Sequence, residues 1–115
     1  SKKIPLVKSK ILILGLSYKK DLDDIRESAS IKLINKLFKK GIKNISAHDP
    51  YVEDKILNKK IKKIKFLNSK NINSFDIVVL MTDHDLFDYD LIKSNAKLII
   101  DCRGRFEVKD NVQRG

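Results

Sequence analysis

Residues 10–41 read KILILGLSYKKDLDDIRESASIKLINKLFKKG, and the change of rhythm inside this stretch decides the fold. Its opening, Lys10 to Leu14 (KILIL), is a strand candidate, apolar without a break from Ile11 and ending at Gly15, the pattern of a strand buried on both faces. Its close, Ser28 to Lys40, places Ile31, Ile34, Leu37 and Phe38 on one helical face, with Ser28 as N-cap and Gly41 as the stop. Lys39 and Lys40 fall in the last turn, where the helix dipole favours cations.

The same alternation continues downstream. Asn44 to Ala47 reads as a second strand, Asp49-Pro50 as a turn, and the segment from about Val52 to Lys60 as a helix. The run Lys59 to Lys65 (KKIKKIK) spaces Ile61 and Ile64 three apart, as the end of an amphipathic helix does, and Ile64 to Leu67 follows as a short third strand. After a brief helical or turn segment near Asn71 to Ser74 comes the most apolar strand, Asp76 to Met81. An Asp-rich loop, a short helix around Tyr89 to Lys93 and a last strand, Lys97 to Asp101, complete the series. Strand and helix in alternation, with strands that are apolar throughout, predict an α/β fold: a doubly wound, three-layer parallel sheet in a single domain. In such sheets ligands bind beyond the carboxyl ends of the strands, so the loops after Leu14, Ala47, Met81 and Asp101 are the ones to inspect.

Composition fits one domain. A chain of 115 residues buries enough surface for a core without disulfides or metals. The recurrent apolar runs speak against disorder, although 35% of the residues are charged. Cys102, the single cysteine, has no internal partner for a disulfide. There is no secretory signal pattern, and no apolar run approaches the roughly 18 residues of a membrane span. The expectation is a protein of the reducing cytoplasm with no membrane contact. The formal charge of +10 invites a nucleic-acid reading. Yet only Arg26, Arg103, Arg105 and Arg114 are arginines, and the lysines are dispersed among Ile and Asn rather than gathered with aromatics. A solvated surface, and no nucleic-acid partner, is the expectation. Residues 1–9 are basic and aperiodic, as a connector or N-terminal extension would be.

The loop from Gly15 to Ser28 carries the strongest chemical signal. It has neither the G-x-G-x-x-G spacing of a dinucleotide fingerprint nor the G-K-[ST] ending of a P-loop. It does offer an ammonium, Lys19, a guanidinium, Arg26, and the free amides at the start of the next helix, all near a strand's carboxyl end. Those groups bind phosphate; equally, they are what a solvated loop with internally paired Lys and Asp residues contains. His48 and His84, with Asp49, Asp83 and Asp85, raise the question of a metal. They sit on loops after different strands, and acidic residues in such turns serve more often to fix backbone amides, so no metal is expected. Tyr51, Phe87 and Tyr89 read as packing or domain-interface residues.

Four blocks in order, Gly15 to Ser28, His48-Asp49-Pro50-Tyr51, Thr82-Asp83-His84 and Asp101-x-Arg103-Gly104, resemble the UDP-binding domain of the UDP-glucose/GDP-mannose dehydrogenase family over about residues 10–106. Each block falls at the end of a predicted strand. The resemblance implies a Rossmann-like domain in which Tyr18 and Lys19 contact the UDP-sugar, Arg103 contacts it from the last block, and Arg26 reaches NAD bound mainly by another domain. Asp24 then orients Arg26 or its neighbours, and Phe87 and Tyr89 are placed to frame a uridine. The segment Thr82 to Tyr89 looks most like the UDP-N-acetylhexosamine (glucosamine/galactosamine) 6-dehydrogenases. Two positions depart from the family pattern. Ala29 stands where proline commonly follows the serine, a small loss of preorganisation. Cys102 occupies a usually small position; it reads as a small buried residue at the end of a strand, with a thiol open to some acidification by Arg103, and not as a nucleophile.

By the same resemblance residues 10–115 form the C-terminal domain of an enzyme whose N-terminal NAD-binding and central domains lie outside this chain. That enzyme oxidises the C6 alcohol of a UDP-sugar to a carboxylate in two hydride transfers, through a thioester on a cysteine absent here. The chain alone is expected to be inactive, and the full-length enzyme a homo-oligomer. Two rivals come from other classes. One is a stand-alone nucleotide-binding or regulatory module such as a receiver, but Gly15-Leu16-Ser17 and Asn68-Ser69 do not supply a receiver's acidic residues. The other is a basic nucleic-acid-binding domain, whose affinity would fall steeply with salt and be indifferent to uridine.

Overall fold

The computed structural model describes residues 8–17, 28–52 and 59–115. Six strands are present among these residues: β1 (Ile11–Leu14), β2 (Ile45–His48), β3 (Lys62–Lys63), β4 (Ile77–Leu80), β5 (Ile99–Asp101) and β6 (Val112–Arg114). They form one sheet in the order β3-β2-β1-β4-β5-β6, and every pairing is parallel. This is the doubly wound order, with its reversal between β1 and β4. The α/β expectation is met.

The side-chain period of a strand explains how one sheet supports two cores. Ile11 and Ile13 of β1 enter one apolar cluster with Ile34, Ile42, Ile45 and Ala47, while Leu12 and Leu14 enter the other with Ile72, Val78, Leu80 and Ile92. The helix α1 (Ala29–Lys39) lies against the first cluster through Ile34; α2 (Ser69–Asn73) and α3 (Tyr89–Asn95) lie against the second through Ile72 and Ile92. Helices therefore cover both faces, giving three layers. Burying a side chain such as Ile34 or Leu12 contributes about 1.5–3 kcal/mol.

Helix α1 begins and ends as its sequence predicts. Ser28 caps it, its Oγ accepting from Ile31 N at 3.4 Å while donating to Leu16 O at 2.6 Å. The second bond ties the helix start to the exit of β1. At the other end Gly41 adopts φ +89°, and Ile42 N returns to Leu37 O at 3.1 Å. That closure suits glycine because an L side chain is strained there.

Three features differ from the sequence reading. The third strand is Lys62–Lys63, not Ile64 to Leu67. A spacing of three puts two residues on one face in a helix but on opposite faces in a strand, and Ile61 and Ile64 do fall into the two different clusters. The lysines between them are tolerated because β3 is an edge strand, where charge also discourages pairing with other chains. Strand β6 was not anticipated: of its three residues only Val112 is buried, too little apolar signal to recognise. Asn111 secures it by donating to Lys93 O and Ala96 O at 3.1 and 2.7 Å. Finally, Ser9, assigned to the connector, is buried. Residues 1–7 of that connector, and residues 53–58 of the helix expected over Val52 to Lys60, lie outside the described residues.

Candidate functional site

The carboxyl ends of β1, β2, β4 and β5 open on the same edge of the sheet, and the chain segments leaving them meet at the reversal point. Gly15, at φ +89°, marks the closest approach: a Cβ placed on it would lie 2.5 Å from Thr82 Cβ and 2.6 Å from Thr82 N. Glycine is required there on both counts, conformation and space.

Asp49, directly after β2, organises the exit of β1. Its Oδ2 accepts from Leu16 N at 2.7 Å, Ser17 N at 3.2 Å and His84 Nε2 at 2.8 Å, and its Oδ1 accepts from Tyr51 N at 2.8 Å. Four donors thus converge on one buried carboxylate, three of them on Oδ2. Burial by itself raises the pKa of Asp49, but the hydrogen bonds from His84 and from the amides of Leu16 and Tyr51 outweigh it and hold the carboxyl below its ordinary value. An ionised carboxylate only accepts, so His84 Nε2 carries the proton it donates. The same nitrogen lies 3.2 Å from Ser17 Oγ. Thr82 Oγ1 donates to Ser17 O at 3.0 Å, and Ser30 Oγ to Gly15 O at 2.6 Å. Asp49 and His84 are both almost wholly inaccessible.

The aromatic residues pack as expected. Phe87 is buried between His48 and His84, and Tyr51 lies against His84 at a centroid distance of 4.8 Å. His48 Nδ1 donates to Ile64 O at 2.7 Å. Its pKa is lowered, chiefly by burial, with the bond to Ile64 opposing. No group of His, Cys, Asp and Glu side chains suited to a metal ion occurs among the described residues.

The loop after β5 is built differently. Asp101, fully buried, accepts from Arg103 N and Gly104 N through Oδ1, each at 2.9 Å, and from Phe106 N at 2.8 Å through Oδ2. The backbone is thereby folded into a tight turn, and the arginine side chains project from it. Arg103 Nε lies 3.6 Å from Asp83 Oδ1, with about half of its side chain exposed. Arg105 lies 3.7 Å from Asp83 and 3.3 Å from Asp85, and stacks over the Tyr89 ring at 4.3 Å. Cys102 differs from expectation: it is exposed, and its thiol pKa is raised, by partial desolvation first and then by Asp101, against the opposing effect of Arg103.

Of the residues singled out in the sequence, Arg103 is at the carboxyl edge of the sheet, while Tyr18, Lys19, Asp24 and Arg26 lie outside the described residues. The flanks of that segment are described: Ser17 and Ser28 both stand at the exit of β1, joined through Leu16. Ser17 is held by Thr82 and Arg103 faces Asp83, so consecutive residues of one turn carry both connections. Sequence reasoning gave Asp49 only a generic turn-fixing role, weighed His84 only as a metal ligand, and assigned nothing to Arg105. The available signal was an Asp and a His at two strand ends of a parallel sheet, and a second guanidinium two residues beyond Arg103.

The family model described as the UDP-glucose/GDP-mannose dehydrogenase family, UDP binding domain, matches residues 12–108. An NDP-N-acetyl-D-galactosaminuronic acid dehydrogenase of Ralstonia solanacearum is 30% identical over 101 residues, which are 86% of this chain and 23% of that protein. A UDP-glucose 6-dehydrogenase of Rickettsia conorii is 36% identical over 103 residues, 81% of this chain and 23% of the relative. Among solved structures, a GDP-mannose dehydrogenase from Pseudomonas aeruginosa superposes with a TM-score of 0.73 at 26% identity, over 92% of this chain and 28% of that one. The chain spans about a quarter of the length of the curated relatives it matches.

Proposed function

Because the chain belongs to the UDP-glucose/GDP-mannose dehydrogenase family, as its UDP binding domain, we propose that it holds the diphosphate of a UDP-sugar for an NAD-dependent 6-dehydrogenase whose other domains carry the hydride chemistry. Lys19 and Arg103 neutralise the diphosphate from two loops, Tyr18 packs against the nucleotide sugar, and Arg26 faces NAD bound by the N-terminal domain. The observation that carries this reading is the anchoring of the β1 exit and of Arg103 on adjacent residues, Thr82 and Asp83, at the reversal point of the sheet. A half-exposed guanidinium there is free to take two phosphate oxygens at once.

The complete enzyme oxidises C6 of the sugar to a carboxylate in two hydride transfers. Relatives named as N-acetylgalactosaminuronic acid and N-acetylmannosamine dehydrogenases support an N-acetylhexosamine as the sugar. The enzyme works as a cytoplasmic homo-oligomer, and the chain by itself has no turnover.

Calorimetric titration tests the binding reading. UDP binds, ADP binds more weakly, and Lys19→Ala and Arg103→Ala each reduce UDP affinity by about tenfold, the worth of one charge-assisted contact. Equal affinity for UDP and ADP, with a steep fall on adding salt, overturns the reading in favour of general polyanion binding.

A further inference from the structure

The turn that follows β4 contacts both flanks of the proposed site without itself supplying a cation to the phosphates. Thr82, His84 and, across the sheet, Asp49 grip residues 16–17 through three contacts to backbone and one, from His84, to the Ser17 hydroxyl, at 2.7–3.2 Å and all at buried atoms. On the other side His84 O accepts from Tyr89 OH at 2.6 Å, the Tyr89 ring lies under Arg105, and Asp83 faces both Arg103 and Arg105. One stretch, residues 82–84, thus connects the exit of β1 with the arginine loop after β5. Strand β4, which separates β1 from β5, supplies it.

We propose that Thr82, His84 and Asp49 are positioning residues for nucleotide binding, fixing the exit of β1 relative to the arginine loop so that cations from the two loops span one diphosphate. The inference rests on the proposed binding of UDP and adds to it the residues that set the spacing. Its physical basis is preorganisation: holding the exit of β1 and the arginine loop in place beforehand avoids an ordering cost on binding. Asp49 supplies a saturated buried acceptor for Leu16 and Ser17. His84 completes it from β4, and its carbonyl continues the connection to Tyr89 and Arg105.

The test uses the 115-residue chain and three variants, with UDP as the ligand. His84→Leu removes the Nε2 donor, His84→Gln restores an N–H donor at a similar reach, and Thr82→Val removes only the hydroxyl that donates to Ser17 O. UDP affinity is measured by calorimetry below the melting range of each variant, and the amide resonances of Leu16 and Ser17 are followed by NMR. The expected result is a loss of about tenfold in affinity for His84→Leu, recovery to within about threefold for His84→Gln, and an intermediate loss for Thr82→Val. The Leu16 and Ser17 amides should move in step with affinity. Unchanged affinity in a folded His84→Leu, or in Thr82→Val should His84→Leu fail to fold, overturns the positioning role while leaving UDP binding intact. Failure of the unsubstituted chain to bind UDP overturns the functional reading itself.

Discussion

Two acidic turns at the same edge of the sheet, Asp49 after β2 and Asp83 after β4, bond in opposite ways. Asp49 is buried and takes four hydrogen bonds of 2.7–3.2 Å, three of them from backbone amides. Asp83 is partly exposed and faces two guanidinium groups at 3.6 and 3.7 Å. The first is a frame, since a buried carboxylate is held by four donors of the protein itself. The second is a loose ionic contact of the kind worth about 0–1 kcal/mol at a surface, which a competing anion can replace. The difference separates residues that hold the fold from residues proposed to bind the nucleotide, and substitutions can test the separation.

The largest effect is expected at Asp49. Asp49→Ala strands three backbone amides and the His84 N–H in a buried site, at a cost of about 3 kcal/mol or more, since each unsatisfied buried donor costs about 1–3 kcal/mol; urea unfolding checks it. Gly15→Ala follows at about 3 kcal/mol, from a positive φ and a Cβ forced onto the Thr82 backbone. Wild-type stability for either variant removes the frame.

Arg103→Ala, by contrast, should leave the free energy of urea unfolding within about 0.5 kcal/mol of the parent while lowering UDP affinity about tenfold. A large loss of stability would place Arg103 in the frame instead.

Acid sharpens the same division. The folded pKa of His48 lies below its ordinary value of 6.5, so between the two the unfolded chain binds more protons, and stability falls as pH drops below 6.5. The folded pKa of Asp49 lies below 3.8; its contribution is present above that value and is lost as pH falls further, through the folded pKa. A stability profile against pH should therefore descend in two stages, and His48→Gln should flatten the upper one. The smallest effect concerns Cys102. With its thiol pKa raised, alkylation at about pH 7 should be slower than that of a small free thiol despite exposure, because the thiolate is the reactive form.

Much of this was legible in residues 10–41, where a period of one gives way to a helical period, and Ser28 and Gly41 mark the helix ends they cap. What was not legible has a common cause. Strand β6 buries only Val112, and β3 is two lysines; edge strands draw their stability from backbone pairing, which leaves little trace in side-chain chemistry. Ile61 and Ile64 misled because a spacing of three is helical by default and was resolved only by their falling on opposite faces. The link between Asp49 and His84 spans 35 positions, and no local pattern encodes a contact of that range. Cys102 was expected inside a strand end, but β5 stops at Asp101, whose carboxylate folds the backbone outward at once.

In the proposed complex the segment leaving β1 and the loop after β5 meet on one ligand, and a UDP titration followed through the backbone amide spectrum of the chain can see both at once. Saturable shifts, with a single dissociation constant, are expected in both residues 17–28 and residues 103–105. Shifts confined to one of these regions, or strongest at the lysine-bearing edge formed by β3, would contradict it.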